Sequence, residues 1–147
     1  MEALAVLTSI PSLVELVSGT VKVARACSSN SSLANITKGL DVQLELLGDI
    51  LTSLETRWKA RTLPSDQLVH LAPIIAQLRD ELASLNRLLS AANAANRLAG
   101  FLRRAKLAVT GFEKHVKLHT QRVESLKTTL TLKLADGIHA ELSGMQR

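Results

Sequence analysis

The chain has almost no aromatic residues: no Tyr, one Trp and two Phe among 147 residues. Nucleic-acid binding by stacking bases on aromatic rings therefore has little to work with. Cysteine is nearly absent as well. Cys27 stands alone, so no disulfide framework and no zinc site can be built within one chain. A reducing, cytosolic setting fits that usage. Only three Pro and seven Gly interrupt the sequence. There is no Gly-rich phosphate loop, no paired-cysteine motif and no nucleophile elbow. An enzyme is the weakest reading, because no assembled catalytic site and no cofactor motif is visible.

Hydrophobic residues make up 46% of the chain, and with aromatics at 2% the core must be aliphatic. Leu, Ile, Val and Ala fill it, and Leu and Ala are strong helix formers. A chain of this length suits one domain, residues 1–147, and buries about 70% of its unfolded surface.

The hydrophobic period predicts an all-α fold, a four- to five-helix up-and-down bundle. A first helix over 1–26 is strongly apolar: from Ala3 to Val21 its single charge is Glu15. A helix apolar over most of its circumference is expected at the centre of a bundle. Pro11 should kink it or mark where its regular part starts. The acidic Met1-Glu2 start argues against a signal peptide. Pro11, Glu15 and several Ser/Thr dilute the stretch as a membrane span.

A second helix, 33–58, carries Ile36, Leu40, Leu44, Leu47, Leu51, Leu54 and Trp58, with Ser32 as its expected N-cap. A third, 66–90, carries Leu68, Leu71, Ile75, Leu78, Leu82, Leu85 and Leu89. Pro73 predicts a kink or a short preceding turn there. Residues Ser90 to Gly100 suit either a helix extension or a loop. A short basic helix is expected over 101–110, closed by Gly111. The last helix, 112–135, carries Phe112, Val116, His119, Val123, Leu126, Leu130 and Leu134. Asp136-Gly137 is its expected stop. The repeated three- and four-residue steps favour packing at about +20°.

Charge is uneven. Residues 1–57 carry a net −2 and residues 58–147 a net +7. From Arg97 to Lys133, nine Lys/Arg face only Glu113 and Glu124. An anionic lipid surface or a plain solvated face accounts for this better than nucleic acid does. Arg97, Arg103, Arg104, Lys106, Lys114 and Lys117 are the candidate anionic-lipid or partner-binding residues. His115 and His119 share a helical face, but Val116 stands where a zinc protease needs Glu. His119 is expected at the edge of the core and His115 in water. Cys27 is expected as a small semi-buried residue rather than a nucleophile. No metal site follows.

Three stretches carry a family resemblance: "MEALAVLTSIPSLVELVSGTVKVARA", "LDVQLELLGDILTSLETRW" and "RRAKLAVTGFEKHVKLHTQRVESLKTTLTLKLA". Together they resemble the N-terminal helical domains of fungal STAND (NLR-like) proteins, the HeLo-like superfamily with its SesA-type members. The resemblance implies a cell-death effector or signalling domain in innate immunity. It implies homo-oligomerisation on activation and membrane targeting or permeabilisation through the first helix. It also implies plasma-membrane association on activation and further domains in a larger receptor. Carried onto this chain, the membrane-interacting residues are Leu4, Val6, Leu7, Ile10, Leu13, Val14 and Leu16. Some members have a glycine zipper in that segment, whereas here Gly19 stands alone. The competing reading is a helical interaction or self-association module without membrane activity, marked by an exposed apolar groove.

Overall fold

The computed structural model describes residues 3–29, 33–60, 65–95 and 111–145. They form helices α1 (Ala3–Ser28), α2 (Ala34–Thr37), α3 (Leu40–Lys59), α4 (Ser65–His70), α5 (Ala72–Ala95) and α6 (Phe112–Met145). No strand occurs among the described residues. The expected helix over 101–110 and the expected cap Ser32 lie outside them.

α1 buries Val6, Ile10, Leu13, Val17, Val21, Ala24 and Cys27, at three- and four-residue steps. Its opposite face, with Thr8, Pro11, Ser12, Glu15, Ser18, Lys22 and Arg25, is exposed. This corrects the expectation of a helix enclosed on most sides. α1 does pack along α3 and α5 and touches α2 and α4, but one side stays in water. α1 runs unbroken through Pro11. The missing N–H there deprives only the Leu7 carbonyl of its helical partner.

The expected single helix over 33–58 is two helices. Lys38 leaves the helical region with ψ 125°, and Gly39 follows with φ +78°. That left-handed geometry suits Gly, since a Cβ would clash with the backbone. Thr37 is thereby fully buried. Its hydroxyl donates to the Leu33 carbonyl at 3.0 Å and shares a 2.8 Å hydrogen bond with Ser28 Oγ at the end of α1. Beyond the break Leu40, Leu44, Leu47, Leu51 and Leu54 form the anticipated buried ladder.

Pro73 acts as the sequence suggested. α4 ends at His70, Leu71 forms a turn, and α5 starts at Ala72. Pro73 then sits in the first turn, where its missing N–H costs nothing. Leu71, Ile75, Leu78, Leu82, Leu85 and Leu89 are buried, and the helix extends through Ala92 to Ala95. α6 buries Phe112, Val116, Val123 and Leu130. It runs on to Met145, through the Asp136-Gly137 stop expected from sequence. One Asp and one Gly cost a helix only about 1–2 kcal/mol together, too little to end one already propagating.

Cross-helix contacts fix the directions. Arg25 pairs with Asp41 and Glu45, and Val17 lies against Gly48, so α1 and α3 are antiparallel. Asn86 bonds Thr20 and the Leu89 carbonyl meets Cys27, so α5 runs parallel to α1. Glu81 meets His119 and Arg122, and α5 and α6 share a groove reaching from Ser84 and Ala91 to His119 and His115, so those two helices are antiparallel. Directions alternate along the chain, as an up-and-down bundle requires. Around the bundle, however, the order is α1, α3, α6, α5, with α6 meeting α3 only lightly. The link from α3 to α5, which includes α4, therefore crosses one end.

Candidate functional site: a fastened first helix and a basic end

Five of the candidate membrane residues lie on the inner side of α1, in or against the core. Val6 and Ile10 are 0% exposed and Leu13 is 1% exposed. Val14 and Leu16 are partly buried against the same core. The side chains of Leu4 and Leu7 lie outside the described set. No helix among the described residues is long and apolar enough to cross a membrane.

Several polar contacts hold α1 in place. Thr20, 0% exposed, donates its hydroxyl to the Leu16 carbonyl at 2.7 Å and accepts from Asn86 Nδ2 at 3.0 Å. The Cys27 thiol donates to the Leu89 carbonyl at 3.4 Å. Cys27 is fully buried rather than semi-buried. Loss of hydration pushes its thiol up to about 11, which leaves it protonated and unreactive at neutral pH. Arg25 joins the end of α1 to Asp41 and Glu45 on α3. Gly48 lets α1 and α3 approach closely, since a Cβ there would sit 3.3 Å from Val17 Cγ1.

Of the candidate basic residues, Lys114 and Lys117 are exposed on α6, and Lys117 pairs with Glu113 at 3.1 Å. Arg97, Arg103, Arg104 and Lys106 lie outside the described residues, in the connection between α5 and α6. His119 does sit at the core's edge. Its Nδ1 lies 2.5 Å from Glu81 Oε2, and Arg122 approaches Glu81 Oε1 at 3.4 Å. His115, one turn earlier, is exposed. No group of three His, Cys, Asp or Glu able to hold a metal occurs among the described residues.

A groove of about 370 Å³ between α5 and α6 is lined by Ser84, Arg87, Leu88, Ala91, His115 and His119. Arg87 and Ser84 were not singled out in the sequence. They lie about thirty residues before His115 and carry no motif, and only the antiparallel packing of α5 on α6 joins them to it. The exposed large hydrophobics among the described residues are Val42, Leu46, Leu118 and Leu132.

No family model, no curated protein and no solved structure matches the chain.

Proposed function

We propose that the chain is a cell-death effector or signalling domain of the HeLo-like kind, belonging to an NLR-like immune protein. It acts by self-association, followed by transfer of α1 from the bundle to an anionic membrane surface. The observation that carries this reading is the two-sided character of α1: a continuous buried stripe from Val6 to Cys27 opposite a face of Thr, Ser, Glu, Lys and Arg. Such a helix suits the plane of the membrane interface, apolar face down, better than a span. The basic last third of the chain supplies attraction to anionic lipid.

The test is co-sedimentation and dye release with phosphatidylserine vesicles, combined with hydrogen exchange. The expected result is binding to anionic but not neutral vesicles, dye release, and loss of protection in the α3 and α5 amides that face α1. Absence of binding even when the chain is fused to a forced tetrameriser overturns the proposal. A second reading, self-association or partner docking without lipid, is favoured by Val42 and Leu46. These stand one turn apart on the outer face of α3 at 55% and 51% exposure. Concentration-dependent oligomers without vesicle binding would select it.

A further inference from the structure

The groove between α5 and α6 combines apolar side chains with a guanidinium and hydrogen-bonding groups. Leu88 and Ala91 supply the apolar lining; Ser84, Arg87, His115 and His119 supply the polar lining. No carboxylate is among the lining residues. Arg87 is exposed. Its Nε and Nη2 make only long 3.4 Å contacts, to the Ala83 carbonyl and Ser84 Oγ of its own helix. Among the described residues no acidic side chain pairs with it. A guanidinium without a carboxylate keeps its paired N–H donors for a phosphate or carboxylate ligand.

The two imidazoles are placed by different means. Glu81 Oε2 accepts the Nδ1–H of His119 at 2.5 Å, which fixes the ring; Nε2 donates to a phosphate only when it too carries a proton. His115 packs over Gly111, where a Cβ would lie 3.4 Å from two ring atoms. Gly111 also has φ +62°, so any other residue there would be strained.

Positive charge predominates around the groove, with Glu81 held against His119 at its edge. α5 ends at Ala95 and α6 begins at Phe112, so the intervening chain starts and finishes at this end of the helix pair. Between Arg87 and Lys117 there are seven Lys/Arg and one acidic residue, Glu113. A positive excess of this size in the sequence favours long-range attraction of anions.

We infer that this groove is a phosphate-binding site. It takes a phosphate monoester between the Arg87 guanidinium, the Ser84 hydroxyl and the two imidazoles, with a small apolar group of the ligand over Leu88 and Ala91. The phosphate can come from a lipid headgroup such as phosphatidic acid or from a soluble phosphorylated molecule. Only the lipid source rests on the function proposed above.

The experiment titrates the full isotope-labelled chain with glycerol 3-phosphate and follows the Arg87, His115 and His119 side-chain signals by NMR. Saturable shifts at all three are expected. Arg87→Gln should weaken binding roughly tenfold, the loss of about 1.4 kcal/mol. Arg79→Gln, an exposed arginine on α5 outside the groove, should weaken it less than about twofold. Both are surface changes, and circular dichroism checks that the fold is kept. Absence of saturable shifts, or equal loss in the two variants, overturns the site. A parallel arm compares phosphatidic acid vesicles with phosphatidylglycerol vesicles, whose phosphate is a diester. Arg87-dependent preference for phosphatidic acid assigns the lipid source. Glycerol phosphate binding without vesicle binding keeps the site and removes the membrane function. Vesicle binding indifferent to Arg87→Gln keeps the membrane function and removes the site.

Discussion

The Thr20–Asn86 bond offers the sharpest test of how α1 is held. Thr20 is fully buried in the α1–α5 interface. Its Oγ1 lies 3.0 Å from Asn86 Nδ2 and 2.7 Å from the Leu16 carbonyl. Asn86→Ala removes the donor but leaves Thr20 its bond to Leu16, so the expected loss is about 1 kcal/mol. Thr20→Val removes the acceptor and leaves the Asn86 amide without this partner, again about 1 kcal/mol. Asn86 is only partly buried, so water can reach its amide, which keeps the second figure from rising further. The double variant loses the same bond only once. A coupling energy of about 1 kcal/mol is expected in a double-mutant cycle. Urea unfolding followed by far-ultraviolet circular dichroism measures it, and thermal melting should show each single change as a drop of about 2–4 °C. Replacing both partners by apolar residues, Thr20→Val with Asn86→Leu, should restore or raise stability. In the proposed function it should also slow the transfer of α1 to vesicles. Additive single-mutant effects, within about 0.3 kcal/mol, would refute the claim that this bond fastens α1 to α5.

Two further outcomes follow from the backbone and the thiol. Gly39→Ala should cost about 1–2 kcal/mol in urea unfolding from the left-handed geometry alone, because nothing lies within 4 Å of the added Cβ. The Cys27 thiol, pushed from 9.0 to about 11 by burial, holds its proton longer in the fold than in the unfolded chain. Stability should therefore fall as pH rises from about 9 to 11, by at most about 1.4 kcal/mol per pH unit. The difference between the wild type and Cys27→Ala across that window measures this contribution. A difference that does not change with pH would refute it.

The leucine ladders were legible because a three- and four-residue period puts side chains on one helical face whatever the helix packs against. Leu44 to Leu54 and Leu71 to Leu89 are buried for that reason. The breaks were less legible. At Gly39 the period continues across the turn, so Ile36 read as part of the ladder while the structure buries Thr37 and leaves Ile36 at the edge. At Asp136-Gly137 the opposite happened: local stop signals were outweighed by the cooperativity of a long helix. The polar lining of the candidate phosphate groove was half legible. The spacing of His115 and His119 put them on one face, but Arg87, which shares the groove, and Glu81, which meets His119, come from α5 through packing alone. No local pattern encodes which helix becomes α6's neighbour.

The apolar opening of the chain is accounted for by the buried stripe of α1, which the proposed function would require it to exchange for another surface. Val6, Ile10, Leu13, Val17 and Val21 are each 6% exposed or less. At about 1.5–3 kcal/mol per side chain, their burial contributes roughly 8–15 kcal/mol. That equals the whole net stability of an ordinary domain, about 5–15 kcal/mol. α1 therefore cannot dwell free in water. In the proposed function it would leave the bundle only as another apolar surface takes over the same stripe, so that release and membrane binding would form one coupled step. Its outer face is solvated in the bundle and would stay solvated at a membrane interface, so the exchange adds no desolvation of Glu15, Lys22 or Arg25. A truncation that removes the first 21 residues would strip the stripe and bare α3 and α5 together, losing fold and lipid binding at once. Changes at Thr20 and Asn86 alter how firmly α1 is held while leaving the stripe whole, and so they separate the two.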